Sequence, residues 1–244
     1  MKKTILTFVA IIFLTSSLFA KANPKLIDEY LEVSGTKEII LALPKQIERG
    51  YLKSIDKNSQ SKINIKNSFD SKKTMNYVKS QLSLEFNDKL LTKIITYYKS
   101  PLGKKFKNSS LAAINKHDTK DNQPSYKRLK IMNTFVERLE LSGAAVHLIG
   151  ELLGSINANL ASSDNPQKII QNAGAKIKSK MLEVSLYAYS EFSDNELKNI
   201  IKYYQSVAGQ FEQMIVSNIF KEIIMASFLQ ILQESEQKTA TSKI

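Results

Sequence analysis

Apolar residues recur three and four positions apart along most of this chain. The clearest case is Leu91, Ile94, Ile95 and Tyr98, one stripe of a 3.6-residue helix, and Leu197, Ile200, Ile201 and Tyr204 repeat it. Read in order, the pattern predicts a short helix over 25–33 closed by Ser34-Gly35 and a second over 37–55 capped by Thr36 and kinked at Pro44. A polar loop over 57–66 and a helix over 71–84 follow, then the stripe just described and a helix from Pro101 to about Lys116. Beyond a polar linker at 118–124, helices are expected over 125–141 and 144–161, and from Asp164-Asn165-Pro166 to about Tyr189. One starting at Ser193 and a last one over 207–234 complete the set. Strict alternation and hairpin dipeptides do not interrupt this reading, so the fold class is all-α.

The two stripes belong to a longer duplication. Ile94-Ile95-Thr96-Tyr97-Tyr98-Lys99-Ser100-Pro101-Leu102-Gly103 returns as Ile200-Ile201-Lys202-Tyr203-Tyr204-Gln205-Ser206-Val207-Ala208-Gly209. Phe86-Asn87-Asp88 and Phe192-Ser193-Asp194 precede them, and Leu31-Glu32-Val33-Ser34-Gly35 matches Leu139-Glu140-Leu141-Ser142-Gly143. Near-equal offsets point to a tandem repeat of roughly a hundred residues. The expected layout is a leader at 1–22, repeats at 23–117 and 125–235 joined by 118–124, and a polar tail at 236–244. The repeats would pack as one bundle-like unit around the apolar C-terminal helix.

Each motif reads as helix, corner, helix. Ser193 and Glu196 form a capping box, and Asn87 can cap the first copy. Pro101 disfavours helix at Ser100, then opens the next helix at its first position. In the second copy Ser206 caps without the proline, since Val207 replaces it. Tyr98 and Tyr204 face the core with hydroxyls reaching a polar rim, while Tyr97 and Tyr203 sit half exposed, packing residues first and ligand-stacking residues second. The last helix carries Ile215, Ile219, Phe220, Ile223, Ile224, Met225, Phe228, Leu229, Ile231 and Leu232. It should be buried, either between the repeats or in a homodimer.

Composition adds a compartment. Lys2 and Lys3 precede an apolar run from Ile5 to Phe19, and Ala20-Lys21-Ala22 offers an A-x-A cleavage site. That is a secretory signal peptide, cut after Ala22 or Ala20, for a periplasmic protein with no membrane span once the signal is removed. The chain holds no Cys, so neither a disulfide nor a lipidated cysteine is available, and an apolar core must hold the fold. Of 35 basic residues, Lys2, Lys3 and Lys21 precede the cut after Ala22, and all 23 acidic residues follow it, leaving a net charge of +9. Most of that lies in the first repeat.

A Phe-x-x-x-x-Leu stretch leading into a Tyr-Tyr-x-Ser-Pro-x-Gly corner, with Leu-Glu-x-Ser-Gly upstream and an export signal, resembles the bacterial domain-of-unknown-function family 2059. The first copy fits at Ser100, Pro101, Gly103 and Phe106; the second departs at Val207 and has Phe211 one place early. The resemblance implies an exported, all-helical protein and supplies no activity and no catalytic residues.

Motifs for chemistry are sparse. No metal-protease, P-loop or nucleophile-elbow signature occurs, and no catalytic, cofactor or metal residue is assigned. His147 with Glu151 gives only two ligands, and Glu137 with Glu140 reads as a solvated pair; a hydrolase built on carboxylates is the alternative class. The charge feature that stands out is Lys89, Lys93, Lys99, Lys104, Lys105 and Lys107, with Lys116 beyond, uninterrupted by Asp or Glu. Beside a helix N-terminus this patch suits an anionic lipid, a phosphosugar or an acidic envelope protein. Nucleic acid is not expected for an exported chain without a recognition motif. The favoured function is a binding or protein-interaction module of the cell envelope.

Overall fold

The computed structural model describes residues 21–43, 70–115, 124–138, 179 and 181–241, and the side chains of this set except 114, 115, 138, 225 and 227–241. Every regular element among the described residues is a helix. They are α1 (Pro24–Ser34), α2 (36–43 as described), α3 (Ser71–Glu85), α4 (Asp88–Lys99), α5 (Pro101–Asn115), α6 (Tyr126–Arg138), α7 (181–188), α8 (Asp194–Gln205) and α9 (Val207–Thr241). Pro44, the 57–66 loop, most of the 118–124 linker, the helix expected over 144–161 and the Asp164 cap lie outside the described residues, as does the leader over 1–20.

Local chemistry sets the boundaries. Asn23 accepts the Lys25 N–H at 2.9 Å with Pro24 at the first helical position, and Gly35 closes α1 at φ 77°, the left-handed conformation that glycine adopts without penalty. Asp70 opens α3 by accepting from Lys72 and Lys73. Asn87 opens α4 through Leu90 N–H at 2.9 Å. Ser193 and Glu196 make the full capping box on α8, with both reciprocal bonds present. The last helix runs further than the expected end near 234, through Thr241. No Gly or Pro breaks 233–241, so nothing local stops it, and at 35 residues it is about 52 Å long.

The core gathers the predicted stripes. Leu91, Ile94, Ile95 and Tyr98 of α4 are buried with Leu197, Ile200, Ile201 and Tyr204 of α8. Tyr30, Leu82, Phe86, Phe135, Tyr189 and Phe220 fill the space around them. Each large apolar side chain taken fully from water contributes about 1.5–3 kcal/mol. α1 lies against α4, α6 against α8, and α9 touches α3, α4 and α8. On α9, Ile215, Ile219, Phe220 and Ile223 are buried, whereas Val207 and Met214 are exposed, so the described part of this helix has one inner face and is not buried all round. No helix among the described residues is long and apolar enough to cross a membrane.

Candidate functional site

The two corners have the same local construction. Ser100 and Ser206 adopt extended backbone, φ −66° and ψ 157° against φ −72° and ψ 158°. Each serine hydroxyl donates to the tyrosine carbonyl three residues back, Tyr97 or Tyr203, at 2.6 Å. Each then accepts the glycine N–H three residues on, Gly103 at 3.1 Å or Gly209 at 3.2 Å. Both glycines are buried, and a Cβ at either would stand 2.6 or 2.7 Å from the backbone Cα of Tyr98 or Tyr204. Glycine is required here by close approach of the chain to itself, not by φ. Pro101 begins α5, and Val207 begins α9 without any change in the corner.

The tyrosines of the corners meet each other. Tyr97 stacks on Tyr203 with ring centroids 3.5 Å apart and planes 3° from parallel. The Tyr98 and Tyr204 hydroxyls are 3.0 Å apart in a buried hydrogen bond. The expectation that these two hydroxyls reach a polar rim is therefore corrected: each finds its polar partner inside, on the equivalent tyrosine. Tyr97 and Tyr203 are half-buried, but their ring faces are spent on one another, which removes the room for a stacked ligand between them.

A carboxylate sits beside this cluster. Glu212, on the first turns of α9, is 3% exposed. The Tyr30 hydroxyl donates to its Oε1 at 3.0 Å and the Tyr203 hydroxyl to its Oε2 at 2.7 Å. Behind Tyr30, Thr36 Oγ1 donates to the phenol oxygen at 3.5 Å, and Ser34 and Thr36 hydroxyls are 2.7 Å apart. Burial pushes the Glu212 carboxyl up to about 7, against hydrogen bonds from Tyr203, Tyr30 and Tyr98 that favour the charged form. Burial and the nearby Glu212 together push the Tyr30, Tyr98, Tyr203 and Tyr204 hydroxyls far above the usual phenol range. At neutral pH these phenols are donors and do not ionise. The Tyr97 hydroxyl is buried without a hydrogen-bond partner among the described residues.

The equivalent position in the first corner, 106 residues earlier, is Phe106. Its ring packs edge-on to Tyr204 at 6.1 Å, edge-on to Phe135 and stacked with Tyr189 at 5.6 Å. The adjacent positions differ too. Phe211 meets the Phe86 ring edge at 5.9 Å, while its counterpart Lys105 places its ammonium 4.4 Å above the Phe192 ring. The two sites share a frame and differ in chemistry.

The six lysines do not form one free patch. Lys99 pairs with Glu29 of α1. Lys105 donates to the Glu191 carbonyl at 3.1 Å and pairs with Glu196 at 2.8 Å, and that pairing, with the Ser193 backbone bond, lowers the Glu196 carboxyl to about 2. Lys107 is half-buried with its stem against Gly35. Lys89 and Lys93, one turn apart on the outer face of α4, and Lys104 in the first turn of α5 are exposed and unpaired among the described residues. The α5 N-terminus is a poorer anion site than expected, because Pro101 has no N–H and Ser100 takes that of Gly103.

Glu137 is exposed on α6, and Glu140, His147 and Glu151, the other residues of the carboxylate alternative, lie outside the described residues. A groove of about 300 Å³ between α5 and α7 is lined by Asn108, Ser109, Ala112, Tyr187 and Glu191, with one carboxylate and no basic side chain. No group of three metal-ligating side chains occurs among the described residues.

Glu212 was not foreseen from the sequence. Its signal was present: Ala208, Glu212, Ile215, Ile219 and Ile223 run along one helical stripe, so an acid interrupts an inward face. Family models, curated proteins and solved structures were compared with the chain and none matches it.

Proposed function

We propose that this chain is an exported helical binding module of the cell envelope, and that its ligand is an anionic envelope component held by the outer face of the first corner. On this reading it is two copies of one helix–corner–helix unit, related to family 2059 and joined through the tyrosines about a local two-fold axis. Equivalent residues touching each other, Tyr97 on Tyr203 and Tyr98 on Tyr204, support that join, as residue-to-self contacts do in any two-fold interface.

The observation that carries the binding face is a comparison of charge at equivalent positions. Lys89, Lys93, Lys99, Lys104, Lys105 and Lys107 correspond to Asn195, Asn199, Gln205, Gln210, Phe211 and Gln213. None of the six has a basic counterpart in the second corner, which instead has Lys198 and Lys202 where the first has Thr92 and Thr96, so the first corner carries six lysines against two on the same backbone and buried stripe. A lysine needed only for solubility has no reason to gather on one of two like corners. Two of the six are committed to Glu29 and Glu196 and Lys107 is half-buried against Gly35, which leaves Lys89, Lys93 and Lys104 as the charges free to meet a phosphate or carboxylate.

The test is co-sedimentation with vesicles of phosphatidylcholine alone or with added phosphatidylglycerol. Binding should require the anionic lipid, fall steeply from 50 to 300 mM salt, and be lost on changing Lys89, Lys93 and Lys104 together to Gln. If inorganic phosphate at millimolar concentration competes, the ligand chemistry is the phosphate group and not the bilayer. Binding unaffected by salt or by the triple change contradicts the reading.

A further inference from the structure

Glu212 plays no part in the basic face, and its hydrogen-bond partners among the described residues are all hydroxyls. Tyr30 reaches it from α1, with Ser34 at the end of α1 and Thr36 at the start of α2 behind it. From α4 the Tyr97 and Tyr98 side chains face it, and from α8 Tyr203 and Tyr204. No Lys, Arg or His among the described residues is paired with it. A buried carboxylate without a cation is costly as an anion, and the lower-cost form open to it is the neutral acid.

The hydroxyl chain can serve either form. With the anion, Thr36 donates to Tyr30 and Tyr30 donates to Glu212 Oε1. Reversed, Glu212 donates to Tyr30, Tyr30 to Thr36 and Thr36 to Ser34, whose oxygens lie 2.7 Å apart in a pair where either can be the donor. The same atoms satisfy both protonation states without moving a helix. Phe106, at the equivalent place in the first corner, has nothing to protonate, so this feature is particular to one side of the join.

From this geometry we infer that Glu212 is a proton-binding site built into the join between the two corners, holding α9 against α1, α4 and α8 most firmly while the proton is bound. Burial, which lifts its titration to about 7 from the ordinary 4.5, agrees with the geometry. The unfolded chain releases this proton near 4.5, so between about 4.5 and 7 the native state holds more protons than the unfolded one. Stability must then fall as pH rises through that window, by roughly tenfold in the folding equilibrium per pH unit, and flatten above it.

The test uses the purified protein and Glu212→Gln, which keeps the shape and cannot titrate. Thermal unfolding from pH 5 to pH 8 should lower the wild-type midpoint by roughly 5–10 °C, and the variant's by only a small part of that. In parallel, an infrared titration should show a protonated-carboxyl band lost with a midpoint near 7 in the wild type and missing in the variant. Identical pH profiles for the two proteins, or a carboxyl band already lost by pH 5, overturn the inference. If the variant does not fold, the wild-type infrared titration decides alone.

Discussion

The two corners, residues 86–106 and 192–212, make an internal control. Both begin with a buried Phe and a side-chain cap, both run a twelve-residue helix, and both turn on the same Ser–Gly hydrogen-bond pair. What differs lies outside that frame: Phe106 against Glu212, Lys105 against Phe211, and, on the outer face, Lys89, Lys93 and Lys104 against Asn195, Asn199 and Gln210, with Thr92 and Thr96 against Lys198 and Lys202. The anchoring of each helix start differs likewise. Asp88 accepts the Asn23 backbone N–H at 2.7 Å, whereas its counterpart Asp194 is held by the Arg128 guanidinium, which also donates to the Phe192 and Tyr189 carbonyls at 2.7 Å. The lesson is that backbone geometry and the buried stripe constrain a corner, while the positions around it are open to new chemistry.

The comparison breaks most severely at the glycines. Gly103→Ala and Gly209→Ala each force a methyl onto the backbone of the preceding helix, so each should cost about 3–5 kcal/mol or prevent folding, as read by urea unfolding. Similar losses at both sites support the shared frame; a tolerated alanine at one would separate them. Next comes Glu212, where the raised titration predicts about 3 kcal/mol of stability lost as pH rises from 4.5 to 7. Glu212→Phe, which installs the residue of the other corner, should remove that pH dependence and leave the Tyr30 hydroxyl without its acceptor.

Arg128→Ala should cost about 2 kcal/mol, because it strips two charge-assisted bonds from the turn at 189–192 and exposes no alternative donor. Asp88→Asn, which only softens the matching anchor on the first corner, should cost less. The smallest effects belong to the caps. Ser193→Ala and Asn87→Ala should each lose about 1 kcal/mol, and chemical denaturation of the pair would show whether the reciprocal Glu196 bond adds to Ser193.

The sequence was most legible where one local rule decides. The Gly35 stop, the Ser193 capping box and the Ser100-Pro101 break all stand where capping chemistry puts them. Periodicity also identified which face of each corner helix turns inward. It could not say what covers that face, so Tyr98 and Tyr204 were assigned a rim and have each other. The lysines show the same limit. Nearness along the chain made them look like one patch, but Lys105 is tied to Glu196, 91 residues away, and Lys99 to Glu29. Glu212 escaped because a single acid in an apolar stripe reads as an interruption, and only its distant partner Tyr30 makes it a site.

Equivalent tyrosines hold the two corners together, and a double-mutant cycle on Tyr98→Phe and Tyr204→Phe is the decisive measurement. Each single change should cost about 1–2 kcal/mol and the pair should be coupled by about 1 kcal/mol, since removing both hydroxyls leaves no orphan. Losses that simply add, to within about 0.3 kcal/mol, would mean that the two hydroxyls do not meet, and would contradict it.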